Sequence, residues 1–167
     1  MRTPSAVGPE IWFSRRPPRC ADPVVRVGGP EPAAIAMPNT KNRLILVIED
    51  NPVVSTVVRK YTERDPVGDL QVRIATDGLA GFQDACAHRP DVILLDLMMP
   101  NYDGRAFLEL QKNEPKLAGV PVVVYSAATR EEIEAVQRDY PMVKGVLQKP
   151  VTPSHLVKTL RETMPEK

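Results

Sequence analysis

The sequence predicts a doubly wound α/β fold: a five-stranded parallel sheet in the order 2-1-3-4-5, flanked by five helices. Two observations lead there. From Leu44 onward, short apolar runs alternate with amphipathic stretches, as βα units around a parallel sheet require. The runs also differ in polarity. Leu44 to Ile48, Val92 to Leu95 and Pro121 to Tyr125 are apolar almost throughout, as strands covered on both faces must be. Leu70, Val72 and Ile74 instead alternate with Gln71 and Arg73, and Lys144 to Gln148 is mixed, which suits edge strands. Strands 1, 3 and 4 therefore belong inside, with 2 and 5 outside.

The helices carry their own punctuation. Asn51-Pro52 and Thr152-Pro153 each place an N-cap acceptor before a proline whose missing N–H costs nothing at the first helical position. Thr129 and Glu132 have capping-box spacing and mark the fourth helix. In the first helix Val53, Val54, Val57, Val58 and Tyr61 fall within an arc of about 140°, so that face is expected to pack on the sheet. Leu156, Val157, Leu160 and Met164 do likewise in the last helix.

A chain of 167 residues fits one ordinary domain plus extra length. The extra length reads as residues 1–40, which hold eight of the 18 prolines, show no periodicity and are expected to form a disordered leader. Arg15-Arg16-Pro17-Pro18-Arg19 offers a proline-rich docking tail as the functional alternative, and Met37 an alternative start. Residues 41–167 form the expected domain. After the last helix no residues remain for a DNA-binding or enzymatic output module, so a stand-alone domain is expected.

A net charge of +1 provides no field that gathers nucleic acid or anionic lipid, so neither is an expected partner. The longest apolar run near the start, Ile11-Trp12-Phe13, is too short for a signal peptide or a membrane span. The only cysteines, Cys20 and Cys86, stand far apart in no ligand-like spacing. They signal neither a disulfide framework nor a zinc site, and a reducing cytoplasm suits such a chain.

In an open parallel α/β sheet ligands bind outside the carboxyl ends of the strands. Strand 1 ends in Glu49-Asp50, strand 3 in Asp96, strand 4 in Ser126, and strand 5 in Lys149-Pro150. Three carboxylates, a hydroxyl and an ammonium thus converge on one rim. Each pair of carboxylates repels by roughly 4 kcal/mol at 4 Å and an effective dielectric near 20, so the rim calls for a cation. Magnesium, a hard ion that sits between carboxylates and phosphate, is the expected one. Asp50 and Asp96 are candidate direct ligands; Glu49 binds directly or through water, and a backbone carbonyl just after Asp96 could complete the set. Asp96 is best placed as a nucleophile that forms an aspartyl phosphate, with Lys149 as a second cation and Ser126 as a hydrogen-bond donor to a phosphoryl oxygen.

These residues resemble the response-regulator receiver family over roughly Leu44 to the C-terminus. LILVIEDN is similar to that family's first strand and acidic pair, LLDLMMPNYDG to its phosphoacceptor loop, SA to its hydroxyl switch and QKP to its lysine and following proline. The resemblance implies a flavodoxin-like, CheY-like fold in which Asp96 is phosphorylated. It implies that Glu49, Asp50, Asp96 and the carbonyl of Met98 organise Mg2+, that Ser126 and Lys149 contact the phosphoryl group, and that the Lys149-Pro150 bond is cis. The implied partners are a sensor histidine kinase or histidine phosphotransfer protein and a downstream protein target, docking near Val53 on helix 1 and on the face of helix 4, strand 5 and helix 5. One departure stands out. Val146 occupies the position where the family usually carries a switching aromatic residue, so readout is expected to run through helix 4 and its preceding loop.

Taken singly, each residue has a plainer reading. A strand-end acid is usually an N-cap or a solvated group, a lone lysine a solvated edge residue, and a loop serine a turn hydroxyl. Only their joint placement makes a site. His88 and His155 read as surface residues, Met98-Met99 as loop packing, and Gly78 and Gly81 form no dinucleotide fingerprint. Three functions compete: a phosphorylated signalling switch whose lifetime depends on Met98 and Ala128, an interaction module that is never phosphorylated, and a magnesium phosphatase. The intact rim favours the first over the second. Such phosphatases place a second acid two residues beyond the nucleophile, where Met98 stands here, so substrate turnover is not expected.

Overall fold

The computed structural model describes residues 17–21, 42–100 and 102–166. Its strands are β1 (Arg43–Ile48), β2 (Leu70–Ala75), β3 (Val92–Leu95), β4 (Val122–Ser126) and β5 (Val143–Gln148). The helices α1 (Pro52–Glu63), α2 (Gly78–His88), α3 (Gly104–Lys112), α4 (Arg130–Asp139) and α5 (Pro153–Thr163) connect or follow them, and a 3-10 turn spans Pro115–Leu117. The strands are all parallel, in the expected order β2-β1-β3-β4-β5.

Period-two alternation in the central strands builds two cores. Ile45 and Val47 of β1 turn to the layer of α1 and α5, meeting Val58, Leu156 and Leu160. Leu46 and Ile48 turn to the layer of α2, α3 and α4, meeting Phe82, Phe107 and Val136. On the edge strand β2, Leu70, Val72 and Ile74 are only half-buried against the first layer. On its other face the Arg73 guanidinium makes a bidentate pair with Asp84 of α2. Arg161 of α5 reaches Asp65 and Asp69 and ties the last helix to the turn between α1 and β2.

The caps fall where the sequence places them. Asn51 accepts from the Val53 and Val54 amides, Thr152 from the His155 amide, and Thr129 and Glu132 form a complete capping box. Gly78 and Gly81 are packing glycines: a Cβ on Gly78 would lie 2.9 Å from the carbonyl oxygens of Tyr102 and Asp103.

Two expectations are corrected. The buried face of α1 is rotated from the valine arc: Val53 is 69% exposed, while Ser55 and Thr62 are buried beside Val58. Both hydroxyls bond to carbonyls of their own helix turn, Ser55 Oγ to Asn51 O at 3.1 Å and Thr62 Oγ1 to Arg59 O at 2.8 Å. So satisfied, they enter the core without an unpaired polar group. The second correction concerns the cysteines, which form a Cys20–Cys86 disulfide across a sequence separation of 66. Residues 17–21 of the expected leader therefore lie against the domain; the rest of 1–40 lies outside the described residues.

Candidate functional site

Backbone pairing carries on past the strand ends and fixes the rim. The Glu49 amide donates to Ala75 O at 3.0 Å, the Asp96 amide to Ile48 O at 3.0 Å, and the Lys149 amide to Ser126 O at 3.0 Å. The residues that follow β1, β3 and β5 are thereby each tied to a neighbouring strand, with Ser126 the last residue of β4. Glu49, Asp96 and Ser126 are buried at 3%, 6% and 0% exposure, while Asp50 is not buried.

The side chains converge as the sequence implies. Carboxylate oxygens of Glu49, Asp50 and Asp96 lie within 4.8 Å of one another. Lys149 Nζ lies 2.6 Å from Glu49 Oε2 and 2.6 Å from Asp96 Oδ2. Ser126 Oγ donates to Asp96 Oδ1 at 2.7 Å. The Lys149-Pro150 peptide is cis, as expected.

Electrostatics follow from that packing. Burial pushes the Glu49 carboxyl above the usual range, against the hydrogen bond and charge of Lys149. For Lys149 burial disfavours the charge, but hydrogen bonds to Asp96 and Glu49 outweigh it and hold the ammonium above its ordinary value. Lys149 is thus a fixed cation. It also lies 5.1 Å from the centre of the Tyr125 ring, whose face favours a cation. Burial raises the Tyr125 phenol, while Lys149 opposes the rise.

Three carboxylates and one ammonium leave a formal charge of minus two on oxygen donors. That donor set fits a hard divalent cation such as magnesium and gives a soft metal nothing to bind.

Further contacts were not singled out in the sequence. The Met98 amide donates to Asp96 Oδ1 at 3.0 Å, so that oxygen receives two hydrogen bonds. The Asn51 amide donates to Glu49 Oε1 at 3.1 Å, and the Ala128 amide to Ser126 Oγ at 3.3 Å. Gly104 matters as well. A Cβ there would stand 2.4 Å from the Asp96 carbonyl oxygen and 2.8 Å from Leu97 Cα, so only glycine lets α3 start against the loop that carries Asp96. The signal was present in LLDLMMPNYDG, where glycine follows the N-cap Asp103.

His88 ends α2, with Nδ1 3.2 Å from the Asp84 carboxylate, and His155 is exposed in the first turn of α5. Met99 is buried in the core while Met98 is 61% exposed, so the two form no joint site. Val146 is half-buried against the α2–α4 layer and pairs with Val124.

Comparison with known proteins agrees with this geometry. The family model described as "Response regulator receiver domain" matches residues 45–161. The nitrate/nitrite response regulator protein NarL of Escherichia coli K12 is 34% identical over 129 residues, covering 75% of this chain and 56% of NarL. A protein-glutamate methylesterase/protein-glutamine glutaminase of Geobacter metallireducens is 36% identical over 74 residues, 44% of this chain and 20% of that protein. The chain thus spans about a fifth to a half of the length of these curated relatives, and the methylesterase match covers only the receiver portion. Among solved structures, the chemotaxis response regulator CheY4 of Vibrio cholerae superposes with a TM-score of 0.65 at 25% identity, covering 74% of this chain and 99% of CheY4. With a matching family model, a flavodoxin-like sheet and an acidic rim at its carboxyl edge, this chain belongs to the response regulator receiver family of two-component signalling.

Proposed function

We propose that Asp96 accepts a phosphoryl group from a phosphohistidine of a sensor histidine kinase or phosphotransfer protein, or from a small acyl phosphate, and that the modified domain binds a different downstream protein. The observation that carries the proposal is the set of contacts on Asp96. One carboxylate oxygen is held by Ser126 and the Met98 amide and the other by Lys149, with Glu49 and Asp50 alongside.

Glu49, Asp50, Asp96 and the Met98 carbonyl are the residues that would hold magnesium. When bound, the ion offsets negative charge on the carboxylates and on the phosphoryl oxygens. An Asp96 carboxylate oxygen attacks phosphorus, the P–N bond of phosphohistidine or the P–O bond of the acyl phosphate breaks, and imidazole or carboxylate departs. Lys149, already cationic and fixed, meets the charge of the transferred group. The Ser126 hydroxyl, freed from Asp96, donates to a phosphoryl oxygen. Hydrolysis resets the switch at a rate shaped by Met98 and Ala128, and no substrate is turned over beyond this self-catalysed cycle.

No described helix is long and apolar enough to cross a membrane. A cytoplasmic location with protein partners rather than nucleic acid or lipid is part of the proposal. The test is intact mass after incubation with Mg2+ and acetyl phosphate. A gain of about 80 Da in the native chain and none in Asp96→Asn supports it. Equal gain in both chains, or none in either, overturns it.

A further inference from the structure

We propose that Cys20 and Cys86 form a reversible thiol switch that clamps the N-terminal segment onto the domain when oxidised and frees it when reduced. The two sulfurs are bonded, with Cα atoms 5.0 Å apart, a separation a disulfide bridges without backbone movement. Both residues are half-buried against the α2–α4 layer, so the bridge is neither sealed in the core nor free of it.

A second contact holds the same segment. The Cys20 amide donates to Glu114 Oε2 at 3.0 Å, and Glu114, 7% exposed, also accepts from the Lys116 amide at the start of the 3-10 turn. The docked residues thus have a covalent and a hydrogen-bonded anchor on two different elements.

Position separates this device from the phosphoacceptor. In each βα unit the helix begins at the carboxyl rim and runs away from it, so Cys86 near the end of α2 and Glu114 just after α3 lie at the opposite end of the sheet from Asp96. The switch therefore acts on the segment and leaves the rim chemistry untouched. What it holds is the described piece that contains Pro17, Pro18 and Arg19. Prolines spaced this way favour an extended form that recognition domains read. Oxidation keeps residues 17–21 on the domain.

Reversibility rests on the functional reading above: a domain served by phosphodonors of the cytoplasm works where thiols are kept reduced, and disulfides there are transient and redox-sensing. The chemistry balances through exchange. A Cys thiolate attacks a small-molecule disulfide such as oxidised glutathione and expels one thiol, and the second Cys thiolate then attacks the mixed disulfide and expels the other. A dithiol reverses both steps.

The test compares the full-length chain equilibrated with oxidised glutathione and with dithiothreitol. Thiol alkylation under native conditions counts free cysteines, and limited trypsin digestion reads cleavage after Arg19. The expected result is no label and slow cleavage in the oxidised chain, and two labels with cleavage about tenfold faster or more in the reduced chain. Cys20→Ser and Cys86→Ser should be cut at the fast rate in either buffer. Two free thiols after oxidation, or equal cleavage in both states, would overturn the switch. Phosphorylation from acetyl phosphate, followed in the same samples, reads the rim separately; its failure beside an intact redox response would sink the functional reading alone.

Discussion

Asp96 Oδ1 receives hydrogen bonds from the Ser126 hydroxyl and the Met98 amide, and only the first can be removed without touching the backbone. Ser126→Ala should slow phosphorylation from acetyl phosphate by about tenfold or more, because a donor aimed at the developing charge is lost. Stability should change by about 1 kcal/mol, the usual worth of one hydrogen bond. An unchanged rate would remove Ser126 from the phosphoryl site. At the other end of the molecule Arg161, by its hydrogen bond, holds the Asp69 carboxyl below its ordinary range. A depressed folded-state value means stability that is present above the unfolded value, near pH 4, and is lost as pH falls through the lower folded value. Asp69→Asn should therefore cost about 1 kcal/mol at pH 7 and progressively less below pH 4, as read by urea denaturation across pH. A penalty independent of pH would contradict the pairing. The identities of the rim residues were legible from the sequence because each one stands at the carboxyl end of an expected strand. Their hydrogen bonds were not: the Met98 and Asn51 amides are backbone groups that every residue possesses, so no residue type betrays them.

Among the elements, α3 shows most directly how packing serves the site, since Gly104 lets the helix begin in contact with the Asp96 backbone. Gly104→Ala must displace a carbonyl now 2.4 Å from the added Cβ. It should destabilise the domain by about 2 kcal/mol, as overpacking does, and slow phosphorylation of Asp96 by more than the loss of fold explains. Normal kinetics in the folded variant would show that the loop tolerates the shift. Strand order was legible because burial on one or two faces leaves different polarity in the runs, and the caps were legible because Asn51, Thr129 and Thr152 act through local geometry. The buried face of α1 was misjudged for a physical reason. Ser55 and Thr62 count as polar by type, yet their hydroxyls are satisfied within the helix and behave as small core groups, leaving Val53 outside.

Across the fold, two long-range arrangements define the protein. One is the acidic rim, which gathers residues from the ends of four strands and carries a formal charge of minus two. Magnesium should therefore raise the thermal midpoint, by an amount equivalent to about 2.7 kcal/mol at a hundredfold excess over its dissociation constant, and Asp50→Asn should lose most of that shift. An equal shift in the variant would place the ion elsewhere. The other is the disulfide, which was not legible from residue order: a sequence separation of 66 carries no ligand-like spacing, and only the docking of residues 17–21 beside α2 reveals it. On the reading proposed above, the rim's middle acid is esterified with the help of a divalent ion. Peptide mapping of the chain after acetyl phosphate treatment, with and without Mg2+, decides the matter. The prediction is a hydroxylamine-labile gain of about 80 Da confined to the peptide containing Asp96 and seen only with Mg2+. A stable modification on Ser126, His88 or His155, or labelling of Asp96 that ignores the ion, would contradict it.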